Sequence, residues 1–182
     1  MKKLILIFLM MVLLTGVLAG CANQNTTPTS TQKPDAVSSA SLATDEAKLV
    51  KAASKDGAWI IILKNDMTTT KEIVIEGEFT KPNPTDAAKI VPAGRKLALY
   101  NQDDKRNVTA RYTLTAPKLT VKSIDTKIQS GTFVGDVYVE ALGFNLVDAK
   151  VQGNIYYKSE ELKAAFTMDA KSSVTGVQEV KK

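Results

Sequence analysis

Residues 135–139 read Gly-Asp-Val-Tyr-Val, and eighteen positions later residues 153–157 read Gly-Asn-Ile-Tyr-Tyr. Each phrase alternates side chains with the period of a strand that has one face on a core. A strand this short cannot bury its apolar face alone, so a phrase stated twice calls for a neighbour that is nearly its own copy. The alternation is not confined to these two phrases. Val108, Ala110, Tyr112 and Leu114 point one way, with Thr109, Arg111 and Thr113 opposite; Phe133, Gly135, Val137, Val139 and Ala141 alternate with Val134, Asp136, Tyr138 and Glu140.

Apolar-x-apolar triplets recur along the chain. Ile73-x-Ile75, Leu97-x-Leu99, Leu119-x-Val121, Phe144-x-Leu146 and Phe166-x-Met168 follow one another at offsets of 24, 22, 25 and 22. Ile128, Val151 and Val174 stand at offsets of 23, each trailed within three positions by Gly131, Gly153 or Gly176. Tyr112-x-Leu114, Val137-x-Val139 and Ile155-x-Tyr157 form a third series, at offsets of 25 and 18, the shorter step being read as a coil with a trimmed corner. Three interleaved series, each recurring every two dozen positions or so, predict a mainly β solenoid with three faces. Each strand pairs in parallel with its counterpart one coil on, and glycines at the corners permit φ > 0.

Ahead of the first coil the sequence predicts one short amphipathic helix. Thr44 is the expected N-cap, Asp45 and Glu46 suit the first turn, Gly57 suits C′, and Leu49, Val50 and Ala53 share a stripe. Trp59–Leu63 is continuously apolar, as in a strand covered on both sides. Residues 80–95, with three of the six prolines, read as an excursion from the coil, and Lys181 and Lys182 as charges that blunt an open edge. The coil length and the helix resemble a right-handed parallel β-helix of the pectate-lyase type with an N-terminal capping helix. The resemblance covers about residues 45–180 and carries no enzyme motif. An antiparallel β-sandwich of similar strand count meets the same spacing and is the alternative.

The amino terminus has the form of a secretory signal. Lys2 and Lys3 precede an apolar run from Leu4 to Leu14, and small residues lead to Cys21. Leu18-Ala19-Gly20-Cys21 resembles a bacterial lipobox, which implies cleavage after residue 20, lipidation of Cys21 with palmitate-like acyl chains and attachment to the membrane. Cys21 is the only cysteine of the 182 residues, so an internal disulfide is excluded. Residues 21–43, rich in Thr, Ser, Pro and Asn, read as a flexible lipidated stalk. As a coil, the segment beyond the cysteine spans roughly 25 Å. Residues 44–182 form the folded domain. Loss of Lys2 and Lys3 leaves a net charge of +3, without the clustering of a nucleic-acid footprint.

There is no histidine, which excludes Ser-His and Cys-His catalysis and the commonest zinc ligand. No phosphate-binding glycine motif occurs, and no cofactor or metal is expected. Carboxylates that weigh as candidates are Asp103 and Asp104 beside Arg106, and Glu76 with Glu78 on one strand face. Both sets read more simply as solvated turn and wet sheet, so no catalytic residue is assigned. If Val137, Val139, Ile155 and Tyr157 point inward, Tyr138 and Tyr156 point outward on adjacent coils, about 4.8 Å apart. These two tyrosines are the candidate binding surface. The reading is a lipid-anchored protein on the extracytoplasmic face of a bacterial envelope, a non-catalytic scaffold or binding module for cell-wall polysaccharide or a protein. Nucleic acid is not a partner, and a monomer is expected over a polymer. The rival is a polysaccharide-active lyase or hydrolase on a β-helix.

Overall fold

A computed structural model describes residues 40–181. The signal segment 1–20, Cys21, the stalk up to residue 39 and Lys182 lie outside the described residues. The chain enters as β1 (Ala40–Ala43), crosses through helix α1 (Glu46–Ala53) and returns beside itself as β2 (Ile60–Leu63). Two short strands follow, β3 (Met67–Thr68) and β4 (Ile73–Ile75). A hairpin of β5 (Thr80–Asn83) and β6 (Asp86–Pro92) leaves the coil, which β7 (Lys96–Ala98) rejoins. A second hairpin, β8 (Tyr100–Gln102) and β9 (Val108–Arg111), leads to β10 (Thr113–Val121). Then come β11 (Lys127–Gln129), β12 (Thr132–Val139), β13 (Asn145–Val147), β14 (Lys150–Gln152) and β15 (Ile155–Tyr157). After helix α2 (Glu160–Ala164), the last coil is β16 (Thr167–Met168), β17 (Ser173–Val174) and β18 (Gln178–Val180).

The fold is a parallel β-solenoid with three faces. The first is a six-stranded sheet in the order β1-β2-β7-β11-β13-β16. The second and third share one sheet, because β10 and β12 run continuously through both. Their first halves align with β3, β14 and β17, and their second halves with β4, β15 and β18. Every pairing between coils is parallel, which sets aside the sandwich alternative, and only the two hairpins are antiparallel.

Register shows that the short step between the two opening phrases is the plain coil, not a trimmed one. Leu119 pairs Val137, Val137 pairs Ile155, Lys127 pairs Asn145 and Thr132 pairs Lys150, all at that same step. Insertions lengthen the other turns. Helix α2 sets Ile155 against Gln178, and the two hairpins set Ile73 against Leu119. The longer spacing read from the triplets therefore mixes faces. Ile73 and Leu119 stand on the third face, whereas Leu97 and Leu146 stand on the first. Tyr112-x-Leu114 does not stack on Val137-x-Val139, since Leu114 pairs Phe133. Val108 and Ala110 belong to a hairpin arm outside the coil.

Inside, one column reads Ile73, Leu119, Val137, Ile155 and another Ile75, Val121, Val139, Tyr157. On the other faces stand Leu114, Phe133, Val151 and Ile61, Leu97, Ile128, Leu146. All of these are buried, each contributing roughly 1.5–3 kcal/mol. The glycines of the opening phrases serve both backbone conformation, with φ +138° at Gly135 and +156° at Gly153, and close approach. A Cβ on Gly153 would overlap the carbonyl of Gly135, and one on Gly176 the carbonyl of Gly153. Beside this ladder Asp136 Oδ1 accepts from Asn154 N (2.9 Å) and Nδ2 (3.0 Å), and Asn154 Oδ1 accepts from Val177 N (3.0 Å). The Gly-Asp and Gly-Asn pairs are thus one corner repeated. Left-handed backbone at other corners falls on Asp125, Ser130 and Asp148 and on the glycines Gly77 and Gly143.

Helix α1 packs against β1, β2 and β4, occupying the space that second and third strands fill in later coils. It follows β1, a strand in residues that the sequence reading gave to the stalk. Its N-cap is Asp45, which accepts from Lys48 N (2.9 Å), rather than Thr44. Leu49, Ala52 and Ala53 form the buried stripe, while Val50 stays exposed. The C-terminal end of the helix is closed by Arg95, fully buried on the approach to β7. Its guanidinium donates to the carbonyls of Ala53 (3.0 Å), Ser54 (2.9 Å) and Ala58 (3.0 Å), and to those of Ala52 and Glu76. Phe79 lies 4.4 Å from its Cζ. Burial pulls the Arg95 pKa down to about 10, still high enough to keep it charged at neutral pH. Arg95→Met leaves several orphaned carbonyls, each costing about 1–3 kcal/mol when buried. Urea unfolding of this variant is expected to show a loss of about 3 kcal/mol or more relative to the parent.

Candidate functional site

The third face presents an outward column of Val74, Thr120, Tyr138, Tyr156 and Glu179, fixed by the ladder that stacks the inward residues on either side. Tyr138 and Tyr156 stand in register with ring centroids 5.0 Å apart, at the separation the strand spacing requires. Their planes are tilted by 46°, so the pair is a faceted ridge. Both rings are half-buried, because lysines lie on them. Lys118 Nζ sits 4.6 Å from the Tyr138 centroid, reaching over from the preceding coil. Lys181 Nζ sits 4.4 Å from Tyr156 and 5.9 Å from Tyr138, folding back from the last coil. The row runs cation, ring, ring, cation.

Two carboxylates hold lysines beside this row. Lys118 pairs with Glu72 (3.1 Å), whose Oε1 also accepts from the buried Thr120 hydroxyl (2.6 Å). That hydroxyl, aided by Lys118, holds the Glu72 carboxyl below its ordinary range. Lys158 pairs with Glu140 at the other side (3.6 Å). A shallow groove of about 250 Å³ runs along Tyr138, Glu140, Tyr156, Lys158 and Lys181. Tyr157 points inward, its hydroxyl donating to Gln178 Oε1 (3.3 Å), and burial pushes its phenol up. The groove offers apolar ring edges and ammonium groups, a combination suited to a ring-shaped ligand bearing negative charge.

The other sequence candidates fall apart in space or are used internally. Asp103 sits at the tip between β8 and β9, where its carboxylate accepts from Asn107 N (2.8 Å) and Nδ2 (3.0 Å) and is held low by them. Glu76 and Glu78 do not share a strand face, since β4 ends at Ile75 and Gly77 turns the chain between them at φ +100°. Of the three arginines, Arg95 is buried structure and Arg111 bridges a hairpin arm to Asp148 (2.6 Å). Among the described residues no group of three or more metal-ligating side chains converges. Cys21 lies outside them. Lys118 and Lys181 went unforeseen, although each stands close to one coil along the chain from the ring it covers.

Because the folded-state pKa of Glu72 is lowered, its contribution to stability is present above the ordinary value of 4.5 and is lost as pH falls through the folded value. Thr120→Val removes the leading cause. Unfolding measured from pH 7 down to pH 3 should therefore show a weaker acid-side decline in Thr120→Val than in the parent. No family model, no curated protein and no solved structure matches the chain.

Proposed function

We propose that this protein is a non-catalytic binding module, tethered through acylated Cys21 to the extracytoplasmic face of a bacterial membrane, that holds cell-wall glycan on the third face. The lipobox-like Leu18-Ala19-Gly20-Cys21 supports the tether, and the stalk-like composition of residues 22–39 supports a domain held away from the bilayer. The observation that carries the binding role is the tyrosine pair bracketed by Lys118 and Lys181. Aromatic rings give a sugar's carbon face an apolar seat, and ammonium groups at both ends reach acidic substituents. Hydrolysis of a glycan generally uses a pair of carboxylates, and the groove is lined by one, Glu140. Here Glu140 is tied to Lys158, which favours holding over cleaving.

Two measurements test this reading. Tyr138→Ala combined with Tyr156→Ala is expected to abolish cell-wall pull-down with the circular dichroism spectrum unchanged; undiminished pull-down refutes the glycan surface. Cys21→Ser is expected to abolish incorporation of labelled palmitate and to shift the protein out of the membrane fraction.

A further inference from the structure

We propose that the first face carries a second, independent binding site, a trough that takes a small organic phosphomonoester. Its phosphate lies among Lys81, Lys96 and Lys127, and its carbon skeleton lies on Ile60, Ile62 and Ala98. The two hairpins leave the coil at opposite ends of β7, so they flank the surface of β2 and β7. Trp59–Leu63 was expected to be covered on both sides. Instead Ile61 and Leu63 face the core, and Ile60 and Ile62 line a cavity of about 180 Å³. Tyr100, Asn101 and Gln102 of the second hairpin form one wall. Lys64 closes that end, donating to Asn101 Oδ1 (3.0 Å).

The charge around Lys96, which itself lines the cavity, points to the ligand. Lys96 and Lys127 are in register on adjacent strands and face the same side. Lys81 extends from the first hairpin with its Nζ 5.6 Å from the Trp59 ring. Lys81, Lys96, Lys118 and Lys127 are the half-buried lysines of the described residues. Lys118 has Glu72, but the other three form no ion pair among the described residues. Burial lowers the Lys96 pKa, and Lys127 and Lys81 lower it further. Like charges opposed on neighbouring strands are destabilising, and no carboxylate offsets them here. A ligand anion supplies what the fold withholds. Like charges that act on one another around Lys96 call for an anion of more than one charge, and lysine binds phosphate as a point charge. The apolar floor beside them calls for an attached carbon skeleton.

Calorimetric titration of the intact protein at low salt tests the assignment, with glycerol 3-phosphate as the probe. Saturable one-to-one binding is expected, tighter than for inorganic phosphate, with glycerol itself silent. Lys96→Met, which keeps the aliphatic stem and removes the charge, should weaken binding at least tenfold. Without ligand it should melt at or above the parent's temperature, because a like charge is gone. Should Lys96→Met fail to fold by circular dichroism, Lys127→Met carries the same expectations. Absence of saturation, unchanged affinity in the variant, a lower melting temperature of a folded variant, or equal affinity for glucuronate each overturns the proposal.

Discussion

Everything in this molecule follows from the requirement that each coil hydrogen-bond to the next in parallel register. A residue in one coil then faces its counterpart about 4.8 Å away, and whatever occupies a position must tolerate a neighbour of the same kind. Inward positions satisfy this with branched aliphatics, as in Ile73, Leu119, Val137 and Ile155. Corner positions satisfy it with glycines that let carbonyls approach, and with Asp136 and Asn154, whose side chains bond the backbone of the adjoining coil. Outward positions satisfy it with the tyrosine pair. Lys96 against Lys127 is the exception, and an exception to a repeating constraint is where a purpose other than stability is to be sought.

The first and the last described coils are built differently. At the amino-terminal end α1 supplies Leu49, Ala52 and Ala53 to the core. A helix placed there brings orphaned carbonyls with it, and Arg95 satisfies them from the following coil. One buried cation therefore joins the closing element to the repeat and fixes the site where the first hairpin rejoins it. In the last described coil an inward column turns polar. Gln178 continues the Ile73 column and accepts from the Tyr157 hydroxyl, so a polar side chain ends an apolar row.

The sequence made the strands, the parallel stacking and the tyrosine pair legible because each depends on alternation or on the undisturbed step of the plain coil. It misled on coil length for a physical reason. An apolar-x-apolar triplet looks the same on any face, so when hairpins lengthen one turn, a triplet from a neighbouring face falls near the expected spacing. Leu97 falls where the longer period asks for the partner of Ile73, yet the true partner is Leu119. Glycine was read as a conformational device, which Gly153 bears out at φ +156°, but Gly153 and Gly176 also leave room for a carbonyl, which alternation does not show. Arg95 was invisible, since nothing local marks an arginine whose partners are carbonyls far earlier in the chain. The lysines of the first face stayed hidden for a related reason. Lys81, Lys96 and Lys127 are brought together by a hairpin and an enlarged coil, which no fixed period reveals.

The same insertions explain how such a repetitive scaffold acquires distinct surfaces. Loop closure grows only slowly in cost with length, so a coil tolerates a hairpin at its corner while the ladder on either side is kept. Both hairpins fall in the turn between β4 and β10, and Tyr100, Asn101 and Gln102 of the second wall the cavity on which Ile60 and Ile62 stand. Among the described residues the later coils carry no hairpin, and there Tyr138 and Tyr156 stand on the third face with no hairpin beside them. A walled trough suits a small molecule and an open ridge suits a polymer. The position of the insertions along the stack thus gives two faces built on one core different shapes.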